Sequence, residues 1–282
     1  NHRTLFGSEL LGFPQGFAET RLFPSSPNQA DSDAQIANAA IRRLQHAAHD
    51  KQPFFGWVFF VSPHRGYVTH GYDMPQQTDL QRYRQEIRYL DEQLGRVLHA
   101  LDQTGLAKRT VVLYMGDHGE QFGEHGGTDH SRNLYTESIH VPLLVKVPGV
   151  EGGALREPVS TTYLFPWLLL HGPAALSSAA SERIRRELAP LMSMTGGAVL
   201  AELLGSDRNL ASLVYRNRQL HYDFATGAYE VYDLSKDRGE HRDLVDERPA
   251  AAARQAPHLD AYRQLRAATH RFTLDPTRSP IE

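Results

Sequence analysis

The 282-residue chain has no cysteine, which excludes a disulfide framework and any thiolate metal site. It has no run of eighteen or more apolar residues, so no segment of it reads as a membrane-spanning helix. The most apolar stretch, Tyr163 to Leu170, is short and is interrupted by Pro166. Lysine and arginine form no cluster, and the net charge of -3 lacks the basic footprint of a nucleic-acid binder. There is no internal repeat, and the only low-complexity tract is Ala250 to Ala253. No signal peptide is visible and the chain begins at Asn1, which is expected of a processed terminus or of a piece of a longer protein.

What is present is an ordinary globular composition, 40% apolar and 22% charged, with an unusual 15 histidines. Histidine is the common imidazole metal ligand and acid/base, so metal or ester chemistry gains weight, although most of the 15 are expected at the surface.

Residues 1–30 read as an irregular entry segment rich in Gly and Pro. A helix is expected over Ala34 to His49, capped by Asp31 or Ser32. Phe54 to Val61 reads as a buried strand ending in Ser62-Pro63-His64. Leu80, Tyr83, Ile87, Leu90, Leu94, Val97, Leu98 and Leu101 recur at steps of three and four, the stripe of a long amphipathic helix closed by Gly105. Thr110 to Met115 and Val141 to Val147 read as two more buried strands. Strand, helix, strand in that order predicts an α/β fold with a mostly parallel central sheet flanked by helices. Beyond residue 205, the segments Ser212 to Arg216, Gln219 to Phe224 and Tyr229 to Leu234 alternate and are separated by turn signals, as in a small antiparallel sheet. A helix follows around Leu259 to His270. The expected organisation is a catalytic α/β domain over 1–204 and a small C-terminal α+β subdomain over 205–282.

The chemistry concentrates in Gly116-Asp117-His118-Gly119-Glu120-Gln121-Phe122-Gly123-Glu124-His125-Gly126, with His130 beyond. Ligands of open parallel sheets bind outside the carboxyl ends of the strands. Asp117 and His118 stand there, a carboxylate beside an imidazole, half of a divalent-metal site. An isolated Asp-His pair would more simply be a turn cap next to a bonded histidine. The strand before it, the glycines around it and the histidines after it favour the metal.

In order and spacing, this stretch resembles the sulfatase family of the alkaline-phosphatase superfamily. The resemblance rests on Asp117-His118-Gly119-Glu120, Gly123-Glu124-His125-Gly126, His130, Leu134-Tyr135-Thr136-Glu137-Ser138 and Val141-Pro142-Leu143-Leu144-Val145. Within the preceding helix it rests on Tyr83, Glu86 and Tyr89-Leu90-Asp91. It ends in Val231-Tyr232-Asp233-Leu234 and Asp237-Arg238-Gly239-Glu240, so it covers about residues 54–245.

The resemblance implies a metal-dependent hydrolase of sulfate esters, or of phosphate esters. It assigns Asp117 and His118 as metal ligands and places His130 and His64 against the ester, His64 near the leaving group. His64 also fits a strand-end residue bonded to backbone, and His130 an exposed loop residue. His125 reads first as structural, and Glu120 and Glu124 as groups that order the loop. An imidazole ligand favours manganese or zinc, with calcium allowed.

The family's nucleophile is a formylglycine made from Cys or Ser in a Cys/Ser-x-Pro-x-Arg motif, or a Ser or Thr used directly. No such motif occurs, and Phe23-Pro24-Ser25-Ser26-Pro27 is a poor substitute. The expectation is therefore a fragment whose nucleophile segment lies upstream. The partner expected is a small-molecule, glycan or lipid ester, with neither nucleic acid nor a membrane span in this chain. The resemblance also implies an extracytoplasmic or periplasmic location, with an upstream anchor allowed. Two alternatives stay open, a membrane-anchored phosphoethanolamine or glycerol-phosphate transferase and a non-catalytic sulfatase-like regulatory domain.

Overall fold

The computed structural model describes residues 16–23, 32–50, 52–72, 77–171, 177–179, 181–183, 185–186, 198–204, 208–245, 247, 257, 259–260 and 262–264. The chain divides into two compact units, one of residues 1–112 with 145–150 and one of 113–144 with 151–282.

In the first unit, α1 (Ser32–Asp50) packs on α2 (Asp79–Gln103). Small Ala47 lets the helices approach, and Leu101 and Leu106 complete a buried cluster edged by Leu44 and Ala48. A capping box starts α2: the Thr78 hydroxyl accepts from the Gln81 backbone N–H, and the Gln81 side chain accepts from the Thr78 N–H at 2.9 Å. Gly105, at φ +70°, ends the turn after the helix in the left-handed region that glycine enters without strain.

The buried strand expected at Phe54 to Val61 is not formed. Residues 52–62 carry no assigned secondary structure, and Phe55 and Trp57 are 66% and 51% exposed. A strand exists only by pairing, and among the described residues nothing forms a ladder with this segment.

The other two expected strands form as β1 (Val112–Met115) and β4 (Leu143–Lys146), paired in a two-stranded sheet. They are not buried as expected, since Leu144 is 63% exposed and Met115 and Val145 are also exposed. An apolar run reports burial only when a second layer covers it. Between them lie a short hairpin of β2 (Gln121–Phe122) and β3 (Thr128–Asp129) and the one-turn α3 (Thr136–Ile139). The eight-residue α4 (Leu164–His171) follows.

The antiparallel sheet at the C-terminal end has four strands, β5 (Val199–Leu204), β6 (Asn209–Tyr215), β7 (Arg218–Asp223) and β8 (Tyr229–Asp233), in sequential order. Its register sorts side chains by face. Leu213, Leu220 and Val231 are cross-strand partners, and with Ala211, Tyr222, Leu259 and Tyr262 they form the hydrophobic core. Residues 259–260 and 262–264 are helical, and the rest of the helix expected there lies outside the described residues. The opposite face carries Ser212, His221 and Glu230 in one cross-strand row, with Gln219 opposite Tyr232 in the next. Ser212 and Gln219 are nearly inaccessible, so this second, polar face is covered too.

Candidate metal and ester site

Asp117 and His118 follow β1 in an exposed loop. The Asp117 Oδ1 accepts from the His118 backbone N–H at 3.0 Å, which fixes the carboxylate against its own turn. The His118 Nδ1 lies 2.9 Å from the Gly119 carbonyl oxygen. A carbonyl only accepts, so Nδ1 carries the proton and the Nε2 lone pair is left for a ligand. That Nε2 stands 3.9 Å from Asp117 Oδ2. Two donors held about 2.1 Å from one ion sit roughly 3 Å apart at a right angle, so a small closure brings both onto one metal. Tautomer, spacing and exposure therefore all fit a divalent ion. An ion held there would supply Lewis acidity toward a developing oxyanion.

Gly119 permits this turn. A Cβ there would lie 2.0 Å from the Glu137 carbonyl oxygen, and its N–H donates to the Ser138 oxygen at 2.8 Å. The loop is thus pressed directly against α3.

His130 stands beside this pair, its ring stacked on His118 with centroids 4.0 Å apart. Its Nδ1 faces Asp129 Oδ1 at 3.0 Å and Glu120 Oε1 at 3.2 Å. The donor atoms of Glu120, Asp129 and His130 all lie within 4.8 Å of one another, a mixed carboxylate and imidazole group that could also hold a cation. Asp129 (φ +99°) and Ser131 (φ +65°) have positive φ, a backbone state that persists only where the surroundings over-determine it.

Behind the loop lies a second histidine system. His125 Nδ1 is 2.8 Å from Glu137 Oε1 and its Nε2 is 3.0 Å from the Glu240 carbonyl oxygen. Both partners are acceptors, so the two contacts together favour the protonated ring. Burial opposes that charge, but the Glu137 carboxylate and the Glu240 carbonyl outweigh it and hold the His125 pKa above its ordinary value. The ring stacks on Tyr135 at 3.7 Å. Tyr135 and Tyr232 both donate to Glu230 Oε2, at 2.8 and 2.9 Å. Burial, together with that carboxylate, pushes both phenols well above their usual range. His125 is thus engaged at both ring nitrogens and on one ring face.

His64 belongs to the first unit. Its loop is shaped by two buried carboxylates. Asp33 on α1 accepts from the N–H groups of Val61 at 2.7 Å and Ser62 at 3.0 Å. Glu86 on α2 accepts from His64 at 2.8 Å and Val68 at 2.7 Å. The Ser62–Pro63 peptide between them is cis. The ring nitrogen Nδ1 of His64 is 3.1 Å from the Arg65 oxygen. Burial pushes the Glu86 carboxyl up to about 6, against the two N–H groups that favour its ionised form.

Sequence reasoning missed Asp33, His221 and Glu230, and it quoted Glu86 and Glu240 as motif residues without the partners they hold. For His221 and Glu230 the available signal was a polar residue at every second position of β7 and β8, which marks a face that must find partners.

The chain belongs to the sulfatase family, whose family model matches residues 7–172. It is 28% identical to arylsulfatase K of Bos taurus over 200 residues, covering 64% of this chain and 36% of that protein. It is 29% identical to the choline-sulfatase of Rhizobium meliloti over 194 residues, covering 66% and 36%. Among solved structures, the yidJ chain of Bacteroides fragilis matches with TM-score 0.61 at 19% identity, covering 84% of this chain and 58% of that one. A 2-O GAG sulfatase matches with TM-score 0.55 at 18% identity, covering 91% and 68%. At those identities the structural likeness is one of fold. The chain spans about a third of the length of the curated relatives it matches. Among the described residues no helix is long and apolar enough to cross a membrane.

Proposed function

We propose that this chain carries the second half of the active site of a metal-dependent sulfate-ester hydrolase. The observation that carries the reading is the placement of the His118 ring: Nδ1 against the Gly119 carbonyl, with Nε2 beside the Asp117 carboxylate. Asp117 and His118 are the metal ligands. His130, held at Nδ1 by Asp129 and Glu120, presents its other ring nitrogen to the ester. There it stabilises anionic oxygen or protonates the leaving oxygen. His64 contacts the leaving-group side, its backbone fixed by Glu86. In the proposed whole, β1 and β4 belong to a mostly parallel central sheet. The catalytic domain runs over 1–204 and the subdomain over 205–282. No residue of the chain is assigned as nucleophile.

The relatives named as arylsulfatase and choline-sulfatase support a small-molecule or glycan sulfate ester as substrate. The family resemblance also suggests an extracytoplasmic location. The imidazole ligand favours manganese or zinc over calcium, and it admits phosphate esters as a second substrate class. The test is Mn²⁺ titration of the chain by calorimetry. One site is expected, weakened about a hundredfold or more in Asp117→Ala and in His118→Ala. Unchanged affinity in both variants would remove the assignment. In the whole protein, release of sulfate from an aryl sulfate, compared with phosphate from the matching aryl phosphate, separates the two substrate classes.

A further inference from the structure

We infer that Glu240, with His221, is a positioning residue that holds the candidate metal loop from the C-terminal sheet. The inference rests on the reading of Asp117 and His118 as ligands.

Glu240 lies in the turn after β8, at φ +53° with its side chain fully buried. That turn is itself ordered: the Asp233 carbonyl accepts from Lys236 and Asp237, and the Asp237 carboxylate accepts from the His241 and Arg242 N–H groups. A buried carboxylate must be fully partnered or it is strongly destabilising. Glu240 Oε1 accepts from His221 Nε2 at 2.6 Å, and Oε2 accepts from the Thr136 N–H at 2.5 Å. Its backbone oxygen takes the His125 Nε2 proton at 3.0 Å. One residue therefore joins β7, the first residue of α3 and the Gly123–Gly126 turn.

Two routes lead from there to the site. Thr136 begins α3, and two residues later the Ser138 oxygen accepts from Gly119, next to His118. His125 bonds Glu137, whose Oε1 also accepts from Gln121 Nε2 at 2.6 Å. Gln121 pairs with Asp129 across the β2–β3 hairpin, which sets Glu120, Asp129 and His130. The polar face of the sheet adds a third tie, because Gln219 Nε2 donates to the Leu134 oxygen at 3.4 Å. His125, Asp129 and Glu240 are all non-glycine residues at positive φ, a strained backbone state that the surrounding contacts must offset.

The test uses the full chain and the variants Glu240→Ala, Glu240→Gln and His221→Phe, with two readouts. Amide hydrogen exchange follows residues 119–139, and Mn²⁺ titration follows the ligands. Glu240→Ala is expected to speed exchange across 119–139 at least tenfold and to weaken Mn²⁺ about tenfold, as removal of a residue supporting metal ligands does. Exchange in α2 and in β6 should stay unchanged. Glu240→Gln keeps an oxygen for Thr136 and meets the other tautomer of His221 with its amide, so it should stay within about twofold of wild type. His221→Phe keeps the ring and removes the donor, so it should lie between them. Should Glu240→Ala unfold as a whole, His221→Phe decides by the same two readouts. Loop exchange within twofold of wild type in both variants overturns the inference, as does weaker Mn²⁺ binding without faster loop exchange. If the wild-type chain takes up no Mn²⁺, the ligand assignment fails, and loop exchange alone decides the role of Glu240.

Discussion

Gly119 is the residue whose chemistry is set most directly by space. Its neighbour Gly116 also sits tightly, but a Cβ there meets the Val141 and Pro142 side chains at 3.3 and 3.4 Å, which a small shift relieves. A Cβ on Gly119 meets backbone oxygen at 2.0 Å, so the loop or α3 must move. Gly119→Ala is expected to cost about 1–3 kcal/mol of stability, as overpacking does. Gly116→Ala is expected to cost less. Thermal unfolding of the two variants measures the difference, and equal losses would mean that the Gly119 approach does not constrain the loop. That Asp117, His118 and His130 would lie near one another was legible in the sequence, because strand, glycine and histidine fall in a recognisable order. Glu240 was not, because nothing in a Gly-Glu turn announces that its carboxylate will meet the N–H of Thr136, 104 residues earlier.

At the scale of elements, α2 supplies both a core face and a buried acid. Its apolar stripe was readable by period and its extent matches, Asp79–Gln103 with Gly105 beyond. Glu86 breaks the stripe without signalling why: it turns inward to satisfy the N–H groups of the His64 loop, a contact that periodicity cannot contain. The converse error lies at Phe54 to Val61, where composition said strand and pairing said otherwise. The short alternating strands at the C-terminal end were readable because alternation specifies two faces, although β5 escaped notice.

Glu86 carries a pH prediction. Its folded pKa is pushed up to about 6 from an ordinary value near 4.5. The native state therefore holds that proton more tightly than the unfolded chain. This contribution is fully present below about pH 4.5 and is lost as pH rises to about 6, a change on the order of 2 kcal/mol. Glu86→Gln cannot titrate. Urea unfolding of wild type and Glu86→Gln at several pH values from 4 to 7 should show wild type losing ground to the variant across that window. Parallel pH profiles would assign the burial cost elsewhere.

For the whole molecule, the chain is a member of the sulfatase family whose candidate ligand pair is exposed on one side and tied to a buried hydrogen-bond system on the other. On the exposed side Asp117 Oδ1 is taken by the His118 N–H and His118 Nδ1 by the Gly119 oxygen, so in the proposed site the remaining Oδ2 and Nε2 would gain their energy from an ion, not from packing. The buried side explains why the sheet behind carries Ser212, Gln219, His221, Glu230 and Tyr232 on one face. An ion that binds only the folded chain must stabilise it by mass action, about 2.7 kcal/mol at a free concentration one hundred times Kd. For a chain of this size that raises Tm by several degrees. Mn²⁺ should therefore lift the unfolding temperature of wild type in proportion to the logarithm of its concentration, with no lift in Asp117→Ala. Glu240→Ala should show the same slope displaced to higher Mn²⁺, because it weakens the site without removing a ligand. A wild-type Tm indifferent to Mn²⁺ and Zn²⁺ would leave the fold assignment standing and remove the metal from the site.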